Sequence, residues 1–205
     1  LQKSIKTFFL LKIQPRVFLM AIELNKGNKF NLSKKEPSLK KVMIGLGWEV
    51  LPGNNMDLDA SVFMIGENGK IPADEYFVFY NNLQSPDGSL KHTGDNRTGI
   101  GDDDDEMILA NLPAVNPIIK ELIVVVSIHD AEVRKHHFGL LKNAYIRLVD
   151  VENSREVVRF RLDENNTSFT EIEFGRLKRE EDGWHFIATG VGTAIGLQGY
   201  VDKYV

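Results

Sequence analysis

Five consecutive acids, Asp102 to Glu106, close the stretch GDNRTGIGDDDDE at Gly94–Glu106. Carboxylates this crowded repel one another. Two unit charges about 6 Å apart cost roughly 3 kcal/mol at an effective dielectric near 20, and under about 1 in bulk water. A folded chain can tolerate such a run in two ways: the loop is loose and solvated, or a cation sits among the acids. Asp95 to Glu106 has the twelve-residue length of an EF-hand loop. Its interior does not fit. That loop needs oxygen ligands at its third and fifth positions and glycine at its sixth. Here those positions hold Arg97, Gly99 and Ile100. A cation at this segment therefore needs ligands from elsewhere in the chain.

Such ligands exist. DLDAS carries Asp57 and Asp59, FYNN carries Asn81 and Asn82, and IHDA carries Asp130. Each group stands at the end of a candidate strand. Residues two apart on a strand share a face, so Asp57 and Asp59 can address one ion. Calcium takes six to eight oxygens at about 2.3–2.6 Å, which strand ends meeting at one rim could supply. Asn and Asp at strand ends are also ordinary turn formers. That explains any one of these groups better than it explains all of them beside the acidic run. The chain has no cysteine, so disulfides, zinc–thiolate sites and thiol catalysis are excluded. A donor set of oxygens suits hard cations such as Ca²⁺, Mg²⁺ or Mn²⁺.

Other chemistry is poorly supported. His129, His136 and His137 lack a metalloprotease spacing. GVGTAIG, Gly190–Gly196, follows a candidate strand like a dinucleotide fingerprint. Its last glycine is out of register, and no second half of a βαβ unit follows. Ser61 and Ser127 have no evident activating partner, and Trp48 and Trp184 read as core aromatics.

These residues must be held by a strand-rich scaffold. Candidate strands are 41–48, 59–65, 76–80, 107–110, 121–128, 144–151, 156–162, 170–177 and 184–189. VVRFRL alternates as a half-buried strand does, whereas LIVVVSI is apolar throughout and belongs at a sheet centre. Pro52-Gly53-Asn54, Glu67-Asn68-Gly69, Pro86-Asp87-Gly88 and Asp182-Gly183 punctuate them. Segments 22–24 and 30–32 suggest a small hairpin. Residues 131–141 suggest a helix capped by Asp130, and 191–204 a second one. About ten short strands with few helices predict an all-β two-sheet sandwich.

The chain has 205 residues, enough for one domain with a real core. Its net charge is −4, yet residues 95–106 alone carry −5. The acidity is local, and no basic stripe points to nucleic acid. Residues 1–19 carry four bases and no acid, with a four-residue apolar run. That is too short for a secretory signal or a membrane span. They read as an upstream extension outside the fold, with the domain at 20–205.

At this point the residues carry a resemblance. GLGWEV, DLDASVFMI, FYNNLQSPDGSLKHTGDNRTGIGDDDDE and VSIHDAE resemble the TerD family of tellurium-resistance and general stress proteins. The likeness runs in order from Ala21 to Val205. It implies a sandwich of two five-stranded sheets, in the cytoplasm, binding calcium at loops of one end and acting without catalysis. It also implies metal ligands at Asp57, Asp59, Asn82, Asp95, Asn96, Asp102, Asp104, Asp105 and Glu106, with two calcium ions as the expected complement. Asn81 stands in reserve, and Gly94, Gly99 and Gly101 permit close backbone approach. Asp103 replaces a glycine common in the family, which changes the charge of the loop. The implied partners are other proteins of a stress-response complex, a membrane-associated one included. The competing reading is an Mg²⁺- or Mn²⁺-dependent hydrolase or a phosphate-ester or nucleotide binder using the same acids. Only Lys91, His92 and Arg97 lie near in sequence to serve it.

Overall fold

The computed structural model describes residues 21–51, 56–94, 104–162 and 168–205. Among them, twelve strands form two six-stranded sheets, one more strand in each than the resemblance implies. The first sheet has the order β1 (Ile22–Leu24), β10 (Arg155–Arg161), β9 (Leu141–Asp150), β3 (Lys41–Val50), β7 (Glu106–Asn111), β6 (Leu90–His92). The second has the order β2 (Lys29–Asn31), β12 (Gly183–Thr193), β11 (Glu171–Glu180), β8 (Ile119–Ile128), β4 (Leu58–Gly66), β5 (Phe77–Val78). β1 runs parallel to β10, while the long strands pair antiparallel.

The period of two in the sequence decides which residues meet between the sheets. Val42, Ile44, Leu46 and Trp48 of β3 face Leu58, Ala60, Val62 and Met64 of β4 across a single buried core. In β10, Val158 and Phe160 point inward and Arg161 stays exposed. β8 breaks the alternation because it is covered on both faces. Leu122, Val124 and Val126 enter the main core. Ile123 and Val125 pack outward with Phe63 and Ile65 under Tyr200 and Tyr204 of α3 (Gly196–Tyr204). That second cover explains the unbroken apolar run.

Several local expectations change. Segments 22–24 and 30–32 do not form a hairpin: β1 joins β10 in one sheet and β2 joins β12 in the other. Leu32 instead begins a short helix, α1 (Leu32–Lys35), capped by the Asn31 side chain. The proposed 131–141 helix shrinks to one turn, α2 (Ala131–Arg134), because Asp130 and Lys135 both adopt left-handed backbone. Asp130 makes no side-chain cap bond. Strand 76–80 is a 3-10 turn followed by two strand residues. β12 continues to Thr193, so the last helix starts only at Gly196. No helix among the described residues is long and apolar enough to cross a membrane. Residues 1–19 and the Pro52-Gly53-Asn54 turn lie outside the described residues.

Candidate functional site

Cross-strand register gathers the candidate acids at one end of the sandwich. In the second sheet Asp59 pairs with Ser127, Ser127 with Glu171, and Glu171 with Thr193. In the first sheet Glu106 pairs with Leu46. His92 Nε2 lies 3.2 Å from the Ala60 carbonyl oxygen and 3.1 Å from Glu106 Oε2, which joins the two rows. The Gly94 N–H donates to His92 Nδ1 at 3.1 Å. Nδ1 is therefore an acceptor, and the ring proton sits on Nε2 facing Glu106 and Ala60. Gly94 has φ +116°, the permissive backbone expected where the acidic segment departs.

The three described acids of the run diverge. Asp104 folds over the outer face of the first sheet. Arg147 Nε donates to both its oxygens at 2.8 and 3.0 Å, and the Tyr145 hydroxyl donates to Oδ1 at 3.2 Å. The Asp104 carboxylate rests where a Cβ on Gly45 would stand, so only glycine fits beneath it. Asp105 extends the β3 ladder: its N–H donates to Leu46 O at 2.8 Å, and its Oδ2 accepts from Trp48 N–H at 3.0 Å. Burial pushes the Asp105 carboxyl up, the Trp48 N–H opposes the rise, and neighbouring Asp104 and Glu106 add to it. Glu106 points between the sheets and is 2% exposed.

On the opposite sheet, Asp59 is buried and Asp57 half-buried just before the strand begins. His129 Nδ1 lies 3.6 Å from Asp59 Oδ2, and His129 Nε2 lies 3.5 Å from Asp130 Oδ2. The His129 N–H also donates to the Asp57 carbonyl at 2.8 Å. Beside Asp59 opens a cleft of about 1000 Å³, lined also by Ser127, Asp130, His136, His137 and Glu171. Glu171 caps α3, its Oε2 accepting from the N–H groups of Ile195 and Gly196 at 3.0 and 2.9 Å. Asn82 is held in a tight turn. Its Nδ2 donates to the carbonyls of Glu75 and Phe77 at 3.0 and 2.7 Å.

The structure thus brings Asp57, Asp59, Asp105 and Glu106 to one rim. It commits Asp104 to Arg147, and the Asn82 amino group to a turn. Asp95, Asn96, Asp102, Gly99 and Gly101 lie outside the described residues. The one group of three metal-capable side chains among the described residues, with ligand atoms within 4.8 Å of one another, is elsewhere, at Glu180, Asp182 and His185. Sequence reading named His92 and His129 without their partners, and it missed Tyr145, Arg147 and Glu171. Strand register alone makes them neighbours of the acids.

A two-sheet β-sandwich with an acid-bearing rim at one end is the class of protein these features define. The comparisons are more specific. The TerD domain family model matches residues 20–204. "Tellurium resistance protein TerD" of Alcaligenes sp is 46% identical over 187 residues, covering 90% of this chain and 97% of that protein. "General stress protein 16U" of Bacillus subtilis (strain 168) is 42% identical, covering 90% and 97%. The chain belongs to the TerD family. A solved structure of a TerD homologue from Streptomyces coelicolor A3(2) shares the fold. Its TM-score is 0.64 at 22% identity, over 79% of this chain and 95% of that one.

Proposed function

We propose that this protein is a non-enzymatic, calcium-binding stress-response module of the tellurium-resistance type. One observation carries the reading: Asp57 and Asp59 at the start of β4 in one sheet, and Asp105 and Glu106 at the start of β7 in the other, stand at the same end of the sandwich. The donors are carboxylate oxygens without sulfur, which fits a hard cation. Burial and adjacent acids already raise the cost of charge on Asp105, and a divalent ion relieves such a cost. Asp57, Asp59 and Glu106 would hold calcium together with oxygens of the 95–103 segment. Asp104 serves only if it leaves Arg147. Bound calcium supplies positive charge that lets the acids stand together. The ordered rim then meets a partner protein of the stress response in the cytoplasm.

The test is thermal unfolding with calcium, magnesium as comparison, and Asp59→Asn beside the parent. Calcium at about a hundred times its dissociation constant should add roughly 2.7 kcal/mol per site, a rise of several degrees. Magnesium should do much less, because it gives up water reluctantly and wants a tighter octahedral shell. Asp59→Asn should weaken the calcium response, although Asp59 is remote in sequence from the acidic run. An unchanged response in Asp59→Asn, or equal responses to both ions, would leave only a solvated acidic loop.

A further inference from the structure

The end of the sandwich away from the acidic rim holds an arrangement the proposed calcium function does not use. β11 and β12 are joined at Glu181-Asp182, with Glu180 opposite Gly183 and Lys178 opposite His185. Glu180 and His185 are therefore diagonal neighbours on one face. Asp182 reaches back from the turn onto them. His185 Nε2 lies 2.7 Å from Asp182 Oδ1 and 3.6 Å from Glu180 Oε2. One ligand atom from each of the three residues falls within 4.8 Å of the others.

We propose that Glu180, Asp182 and His185 form a binding site for a divalent transition ion such as Zn²⁺, Co²⁺ or Ni²⁺. Two observations beyond the acids support it. The imidazole is more than nine-tenths buried, at 6% exposure, and its Nε2 faces the two carboxylates. The ring's hydrogen bond to Asp182 and its contact with Glu180 are both made through Nε2, on the cluster side. The spacing also fits. Tetrahedral ligands at about 2.1 Å from zinc stand roughly 3.4 Å apart. The Glu180 contact already has that spacing, and the Asp182 contact need only open by about 0.7 Å. Asn31 Nδ2 donates to the second Asp182 oxygen at 2.7 Å and leaves Oδ1 turned toward the imidazole. Outer partners of this kind orient metal-binding carboxylates.

The imidazole nitrogen selects the class of ion. Calcium prefers six to eight oxygens, whereas nitrogen with carboxylates suits zinc, cobalt and nickel. Lys29 donates to both Glu180 oxygens at 2.7 and 2.6 Å and competes with the ion. Metal at Nε2 also moves the ring proton to Nδ1, which has no acceptor among the described residues. Both costs make this site weaker than a closed four-ligand zinc site. The Asp182 side chain is 60% exposed, so the cluster is open to solvent on that side.

Zinc chloride, and separately cobalt chloride, is titrated calorimetrically into the untagged full chain in saturating calcium. One ion per chain is expected. His185→Gln and Asp182→Asn should each weaken zinc binding by at least about tenfold, while Asp59→Asn leaves it unchanged. Asp182 lies on an exposed turn, so Asp182→Asn decides the question even where His185→Gln fails to fold. No zinc binding by the parent overturns the proposal. So does parent-like binding in Asp182→Asn, which would assign the zinc to His129, His136 and His137 instead.

Discussion

At the scale of single residues, acids that look alike in sequence do different work. Asp87 is the clearest described example outside the rim. Its Oδ1 accepts from the Ser85 and Ser89 hydroxyls, both at 2.6 Å, and from Ser89 N–H at 2.9 Å. Its Oδ2 accepts from Asn116 N–H at 2.8 Å, tying the turn to a distant segment. Burial alone pushes the Asp87 carboxyl up. The hydrogen bonds outweigh burial and hold it below the usual carboxylate range. The folded state therefore favours the ionised form, and this stability is present above the unfolded value of about 3.9. It is lost as pH falls through the lower folded value. Asp87→Asn should cost about 2 kcal/mol near neutrality, and the gap from the parent should close as pH drops below about 4. Urea unfolding at pH 7 and pH 3 checks this; a constant gap would show that charge is not the cause. The sequence marked Pro86-Asp87-Gly88 as a turn, but nothing in it announced Asn116 as a partner.

The Asp104 site gives a second residue-scale test. Arg147 binds Asp104 and also donates to Glu156 Oε2 at 3.1 Å, and the Arg159 guanidinium lies 4.1 Å from the Tyr145 ring centre. This network lies on the outer face of the first sheet. Gly45→Ala would place a methyl group where the Asp104 carboxylate lies, parting it from Arg147. A loss of about 1–3 kcal/mol is expected from overpacking, with a smaller further loss when Asp104→Asn is added, because the pair is already broken. Full additivity in that double mutant would mean the two positions do not interact.

At the scale of elements, alternation was legible where one face met the core and the other met water. It failed where the backbone departed from both regular periods. Residues 131–141 are a good helical pattern, yet left-handed Asp130 and Lys135 bracket a single turn. β5 and β6 are too short, at two and three residues, to show a period at all. The apolar run of β8 signalled a central strand, but not what covers its outer face. That cover is α3. Phe63 lies 4.2 Å from the Phe77 ring and 5.2 Å from the Tyr204 ring, and Tyr200 is 2% exposed beside them. Tyr200→Ala should cost about 3–5 kcal/mol, as for a buried aromatic truncated to alanine. Faster amide exchange should follow at the α3–β4 contact. A loss under about 1 kcal/mol would show that α3 is dispensable to the second sheet.

At the scale of the whole molecule, sandwich topology turns a one-dimensional list of acids into a rim. The sequence supplied the residue types and the family likeness. It could not supply the register that sets Asp59 beside Ser127 and Glu106 beside Leu46. Register also separates the rim from the Glu180–Asp182–His185 turn, which the sequence showed only as an Asp-Gly punctuation. Among the described residues the first strand begins at Ile22 and the main core at Leu24, and the family match begins at residue 20. Among the described residues, each strand pair joins segments that lie after residue 21. Removing Leu1–Leu19 deletes none of them, and it removes four bases, which makes the remaining chain more acidic. The expected outcome is a melting temperature within about 1 °C of the full chain and an equal calcium-induced rise, read in the same buffer. An equal calcium response is the outcome for bases held more than about 8 Å from the rim, because exposed charges are largely screened beyond that distance at physiological salt. A fall of several degrees would mean that the segment contributes packing to the sandwich. A changed calcium response without a change in stability would instead place its basic residues near the acidic rim.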